Sequence, residues 1–350
     1  MKRDVLGFAI LGAGMISKFH ARAIGDIPGT RLVAVCDLEK ARAEKMAAEF
    51  GCQAFDSLDA VLARRDVDIL VIATPSGTHM EAAVAAARAG KHVLCEKPLD
   101  VTLERVDAMI QAHREAGTQL GGIFQIRYTR ALQTIRDALR TGRFGTLTYA
   151  GVYVPWWRPD DYYSASLWHG TQKLDGGGAL MNQAIHMIDL LCDIMPPIES
   201  VVACVSSVGH PGIETEDAAT AAVKFRGGAV GVIYGSTSSW PGQAKRLEIS
   251  GTEGTAIFVD DHLTLFDFRD HRQEDCAALE LGEIGSNTNA QGAANPAAMT
   301  HALHAECFKD FVHSLRDGKN FTIDGESARK PIAVIRAIYD SAATGRRISL

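Results

Sequence analysis

The apolar positions of the chain change their period near its first third. Up to about residue 124, short unbroken apolar runs alternate with stretches whose apolar residues recur every three or four positions. Leu6 to Leu11, Arg31 to Cys36, VDILVIATP (67 to 75), HVLCEKP (92 to 98) and LGGIFQI read as strands buried on both faces. KFHARAI, LEKARAEKMAAEFG, THMEAAVAAARAG (78 to 90) and residues 102 to 116 read as amphipathic helices. Buried strands alternating with such helices predict a parallel doubly wound sheet. From Thr146 the pattern becomes two-residue alternation broken by glycine turns, in TLTYAGVYVPW, SVVACVSSV, AATAAVKF, AVGVIYGSTSS, KRLEISGT and GTAIFVD. One long helix, near 179 to 195, interrupts it. This half predicts a large, mostly antiparallel open sheet, with helices at His301 to Leu315 and Gly325 to Ala343 and a subunit partner as candidate covers for its face. The expected fold is thus α/β: a Rossmann-type domain over residues 1–124 and a second α+β domain over 125–350.

Composition narrows the function without choosing it. In 350 residues, 47% hydrophobic and 22% charged content suit a folded two-domain protein, and no low-complexity block argues for disorder. Lys and Arg number 36 against 42 acidic residues, with no basic cluster that would track a phosphate backbone, so nucleic acid is not an expected partner. The seven cysteines contain no CxxC pair and read as reduced thiols of a cytoplasmic protein. Lys2 and Arg3 before VLGFAILGAG imitate a signal peptide, but Asp4 interrupts the charge and the apolar run ends in glycines. We read it as a first strand, and no other run reaches the ~18 apolar residues of a membrane span.

Those glycines carry the first chemical signal. Gly12, Gly14 and Ser17 in GAGMIS stand between a strand and a helix, where a dinucleotide fingerprint needs a tight turn, close approach of a pyrophosphate and a small residue for packing. Asp37 ends the next strand twenty residues after Ser17. There an acid accepts the ribose 2′-hydroxyl and repels a 2′-phosphate, which argues for NAD over NADP. Thr74, Pro75, Glu96, Lys97 and Pro98 lie at carboxyl ends of strands, where such sheets bind ligands.

The second signal is DGGGALMNQAIHMID, Asp175 to Asp189. Asn182, His186 and Asp189 recur at helical spacing and are expected on one face, with His186 as an acid/base group and Asp189 as the orienter of its ring. Before it, WWRPDDYYSASLWHGTQKL mixes aromatic rings and polar groups in the manner of a sugar site, or of a sheet core. His301 and His304 lie three apart, but no carboxylate stands at a ligand-like spacing, so no metal is expected. GEIGSNTNAQGAANPAAMT (282 to 300) reads as a loop at the rim of the site or of a subunit contact.

GAGMIS with Asp37, ATPSGTH at 73 to 79, CEKP at 95 to 98, the His186 stretch and the terminal AIYDSAATGRRISL follow one another as they do in the Gfo/Idh/MocA oxidoreductases, which this chain resembles over nearly its whole length. The resemblance implies an NAD-dependent oxidoreductase acting on a sugar or cyclitol, and assembly as a homodimer or homotetramer through the second sheet. It implies catalytic roles for Lys97 and His186. Contacts to NAD would come from Gly12, Gly14, Met15, Ile16, Asp37, Thr74, Pro75, His79, Glu96, Lys97 and Gln125, and contacts to substrate from Asn182, Tyr163, Trp168, Arg127 and Asp189. It also implies that Pro98 follows a cis bond. Relatives often read YYxxxxWRGT where this chain has His169 in place of the arginine, and carry an acid where it has Asn182. Asn182 can hold a hydroxyl but cannot take its proton, which leaves that task to His186 or Lys97. Two further readings share the fold: an NAD-dependent glycosidase that oxidises its sugar transiently, and a non-catalytic NAD-binding regulator.

Overall fold

The computed structural model describes residues 5–280 and 300–350. They form two compact units. The first ends at Gln125 and takes in Thr300–Arg329; the second begins at Ile126 and takes in Lys330–Leu350.

In the first unit, strands β1 (Leu6–Leu11), β2 (Thr30–Cys36), β3 (Gln53–Phe55), β4 (Ile69–Ile72), β5 (His92–Cys95) and β6 (Leu120–Gly122) make one sheet in the order β3-β2-β1-β4-β5-β6. Every pair is parallel. Phe8, Ala9 and Ile10 of β1 and all four residues of β4 are fully buried, as central strands covered on both faces must be. The helices begin and end on local signals. Thr102 accepts a hydrogen bond from Arg105 N–H (3.3 Å) at the start of Leu103–Ala116, and Gly117 ends that helix in the left-handed conformation. Strand order reverses between β1 and β4, and the crevice at such a switch point is where doubly wound sheets bind nucleotides.

The helix Ala302–Asp317 departs from expectation. It packs on the helix Met15–Gly25 of the first unit, with the Phe308 ring 6.2 Å from that of Phe8. Phe308, Phe311 and Phe321 are among the largest fully buried side chains, and their burial brings Thr300–Arg329 back to a unit whose other residues end at Gln125. Assigning all of 125–350 to one domain therefore fails at this segment, because the apolar face of the returning helix is matched by the Rossmann core.

The second unit holds an eight-stranded sheet, β7 (Leu147–Pro155), β8 (Ile198–Ser206), β9 (Ala218–Phe225), β10 (Val230–Ser236), β11 (Arg246–Gly251), β12 (Gly254–Val259), β13 (His262–Phe268) and β14 (Ile348–Ser349), in the order β13-β12-β11-β7-β10-β9-β8-β14. Its pairs are antiparallel except β7 with β10. Along β9 buried and exposed residues alternate, so one face is core and the other open. The core face is covered by a π-helical turn, Ala179–Ala184, that runs into the α-helix Ile185–Ile194. Gly235 permits this: a Cβ there would stand 2.9 Å from Leu180 and 3.0 Å from Ala184. The helix Gly325–Thr344 belongs to this unit from Lys330 onward, where Ser341 accepts a hydrogen bond from Ala203 N–H of β8 (3.0 Å). The loop expected at 282–299 lies outside the described residues.

Candidate active site

The glycine turn after β1 is built to let a charged group come close. Gly12 has φ +96°, and a Cβ on it would stand 2.5 Å from Ala73 O; no other residue fits there. A Cβ on Gly14 would meet nothing within 4 Å, so the space before the helix Met15–Gly25 is open. That helix has no acid in its first turn and no side-chain cap, leaving its N–H groups and dipole to an anion. Ser17, in the place usually held by a third small residue, is fully buried and donates to Gly12 O (2.7 Å), so its hydroxyl ties the turn together. Met15 is exposed and Ile16 half-buried beside it. Asp37 accepts from Ala13 N–H (2.7 Å) and Glu39 N–H (2.8 Å), which holds the carboxylate at the mouth of the turn with acceptor sites to spare for a ribose. These features fit a dinucleotide.

Thr74 and Pro75 are half-buried at the end of β4. His79 is not open to a ligand. It is 1% exposed, and its ring nitrogens lie 3.0 Å from Pro98 O and 2.9 Å from Thr74 O. It braces the loop after β4 against the loop after β5. Lys97 follows β5 and is joined to Pro98 by a cis peptide bond. Asp100, fully buried, fixes the next turn by accepting from Met80 N–H (2.9 Å), Val101 N–H (2.7 Å) and Arg105 (2.6 Å). Glu96 accepts from Lys97 N–H (3.0 Å) and lies 2.9 Å from His20 Nε2. Burial alone would raise its carboxyl, but the His20 hydrogen bond and the charges of His20, His304 and Lys97 outweigh that and hold it at about 2. Its oxygens are thus engaged with its own unit. Gln125 is buried (6% exposed) in the turn after β6.

In the second unit the glycines of DGGG serve close approach. A Cβ on Gly177 would stand 2.2 Å from the Tyr339 hydroxyl, and one on Gly178 would stand 1.8 Å from Glu216 O. Glu216 is the keystone that sequence reasoning missed. Buried, it accepts from Gly178 N–H (2.9 Å), Leu180 N–H (2.8 Å) and the Tyr339 hydroxyl (2.9 Å), pinning the first residues of the π turn. Burial pushes its carboxyl above the ordinary range. No local signal in ETEDAA marks this role, since the partners come from 36 and 123 residues away.

Asn182 and His186 emerge from this pinned turn half-buried, each with one side toward solvent. The Asn182 amide donates to Asp175 Oδ1 (2.7 Å), and Asp175 Oδ2 accepts from Gly170 N–H (2.8 Å), which links the helix to the aromatic segment. Asp189 does not share their exposure. It is fully buried and accepts two hydrogen bonds from Arg127, at 2.5 and 2.7 Å, while the third Arg127 nitrogen reaches Asp193 (2.9 Å). The charges of Asp189 and Asp193 hold Arg127 protonated well beyond its ordinary range, against the cost of its burial. Arg127 and Asp189 therefore bind each other. An internal arginine needs an acid, and Asp189 supplies it.

Tyr163 donates to Thr237 (2.8 Å), Tyr162 stacks on His169 at 4.3 Å, and Trp168 lies 3.9 Å from His169. His169 thus sits among rings. Arg158, not singled out from sequence, is 4% exposed over Trp156 and Tyr162 and donates to Gln183 Oε1 (3.0 Å). Its signal was a lone arginine in an aromatic run.

A six-stranded parallel sheet with an NAD-type turn, joined to a second unit that presents a half-open histidine and amide, defines a nucleotide-dependent oxidoreductase. Comparison with known proteins makes this specific. Residues 6–123 match the family model described as "Oxidoreductase family, NAD-binding Rossmann fold", and residues 132–257 match the GFO/IDH/MocA C-terminal domain. Inositol 2-dehydrogenase of Rhizobium meliloti is 31% identical over 258 residues, covering 71% of this chain and 73% of its own. The WlbA dehydrogenase of Bordetella pertussis, solved with NADH and UDP-GlcNAcA, shares 33% identity and a TM-score of 0.87 over 99% of both chains. Its counterpart from Chromobacterium violaceum, with the same ligands, gives 30% and 0.88 over 100% of this chain and 97% of that one. The chain belongs to the Gfo/Idh/MocA family of NAD-dependent oxidoreductases, enzymes that act on CH–OH groups.

Proposed function

We propose that this enzyme oxidises a ring secondary hydroxyl of a sugar, a sugar derivative or a cyclitol. The observation that carries the reading is the pinned turn at Gly178–Leu180, which presents Asn182 and His186 half-exposed on a buried frame: a donor for a hydroxyl, then a base at the next helical position. Relatives that act on inositol or were solved with a nucleotide-linked sugar acid support the same substrate class. Bound NAD supplies the hydride acceptor for the carbinol hydrogen. Asn182 holds a substrate hydroxyl, and its bond to Asp175 sets the direction of its amide. His186 or Lys97 takes the hydroxyl proton as the C–H bond breaks, so that one proton and one hydride leave the alcohol and a ketone remains. Asp37 selects NAD by accepting from the ribose and repelling a 2′-phosphate.

The test is NADH formation across inositols, aldoses, anhydrosugars, uronates and UDP-GlcNAcA, with NADP run in parallel. We expect turnover on at least one member with NAD preferred, and a loss of about 10²-fold or more in Lys97→Ala and in His186→Ala with NAD binding retained. Turnover near wild type in both variants would overturn the site, and a clear preference for NADP would overturn the role of Asp37.

A further inference from the structure

The first unit holds two buried imidazoles that the chemistry above does not use. His20, on the helix Met15–Gly25, is fully buried; His304, in the first turn of the helix Ala302–Asp317, is 1% exposed. Their rings are 5.5 Å apart and stand among Phe8, Phe19 and Phe308, which offer no hydrogen bonds. His20 Nε2 reaches Glu96, but neither its Nδ1 nor either nitrogen of His304 has a hydrogen-bond partner among the described residues. Leaving a buried polar group unsatisfied is costly, a penalty that a leucine at position 304 would avoid. One nitrogen from each ring and one Glu96 oxygen all lie within 4.8 Å of one another.

Two imidazoles and a carboxylate are a donor set for a divalent transition ion. Ligand bonds of about 2.0–2.2 Å require donor atoms to lie roughly 3.3 Å apart in a tetrahedron, so the cluster must close by about 1–1.5 Å at most. A side-chain rotation of His304, which no hydrogen bond holds, provides that. His301 takes no part, since its Nε2 is bound to Asp26 (2.7 Å). The carboxylate missing at ligand spacing along the sequence comes from the end of β5, more than two hundred residues away.

We propose that His20, Glu96 and His304 bind one divalent transition cation, zinc in preference to magnesium or calcium. The ion joins three elements, the first helix, the end of β5 and the helix that returns near the carboxyl terminus, and holds Glu96 beside Lys97 N–H. On binding, the proton on His20 Nε2 goes to solvent and the nitrogen lone pair turns to the metal.

The test uses the full chain, stripped with chelator and titrated with zinc chloride by calorimetry, with metal content read by mass spectrometry after desalting. Wild type is expected to take up about one equivalent at micromolar concentration and to melt at a higher temperature with zinc than without. His304→Leu, which fills the site with apolar volume, should fold, bind NAD and lose that equivalent; His304→Gln checks the loss in a polar variant. Wild type with no stoichiometric uptake at ~100 µM zinc, or uptake equal in wild type and both variants, overturns the proposal. Neither readout depends on turnover, so this result and that of the sugar panel stand apart.

Discussion

Asp275 shows what one carboxylate does at the residue scale. It is almost fully buried and accepts from Arg143 at 2.5 and 2.7 Å, and the Arg143 hydrogen bond holds its carboxyl below the ordinary 3.8. A depressed folded value means that the unfolded chain binds the proton more readily. The stabilisation is therefore complete above pH 3.8 and is lost as pH falls through the lower folded value. Asp275→Asn should cost about 2 kcal/mol at neutral pH, and the gap to wild type in urea unfolding should narrow as the pH falls below 3.8. A gap that widens in acid would contradict the pairing. Asp189 is the sterner case. Asp189→Asn leaves Arg127 buried with its strongest partner gone, and is expected to lower stability by about 3–5 kcal/mol, whereas Arg127→Met with Asp189→Leu should cost far less. Guanidinium unfolding of the two variants separates a structural pair from a substrate contact.

At the scale of elements, the turn from π to α geometry between Ala184 and Ile185 is what aims Asn182 and His186. Such bulges frequently mark functional positions, and here the cause is visible: the Glu216 carboxylate takes the N–H groups of Gly178 and Leu180 at the helix start. Glutamine has one acceptor oxygen where the carboxylate has two. Glu216→Gln should therefore destabilise the protein by about 1–3 kcal/mol and lower turnover while leaving NAD affinity unchanged, read by unfolding, kcat and cofactor titration. Unaltered kcat would remove Glu216 from the positioning of the site. The elements themselves were legible in advance. Period-two and period-3.6 patterns located the strands and helices because burial imposes those periods directly. The partners of Asp189 and Glu216 were not, because a hydrogen bond across dozens of residues leaves no periodic trace.

At the scale of the whole molecule, the chain leaves its first unit at Gln125 and returns to it at Thr300. Phe308, Phe311 and Phe321 fill that unit's core, and a Cβ on Gly121 or Gly122 would collide with Phe321 or Ala328. A fragment ending at residue 125 should show no cooperative thermal transition, and the same fragment joined to residues 300–329 should regain one, by circular dichroism. Cooperative melting of the shorter fragment would make the returning segment dispensable. The same return brings His304 to His20 and Glu96, so the further site and the core of this unit share one cause.

Read as a string of residues, the chain already specified its parallel sheet, its dinucleotide turn with the acid at Asp37, the change to an open sheet and the helix bearing Asn182 and His186, because each is written in local spacing or in a contiguous motif. Folding alone decided that Asp189 turns inward to Arg127, that His79 braces a loop, that Glu216 pins a helix and that a late helix completes the first unit. Those outcomes depend on which buried charge finds a partner and which apolar face finds a matching surface, and neither is set until distant segments meet.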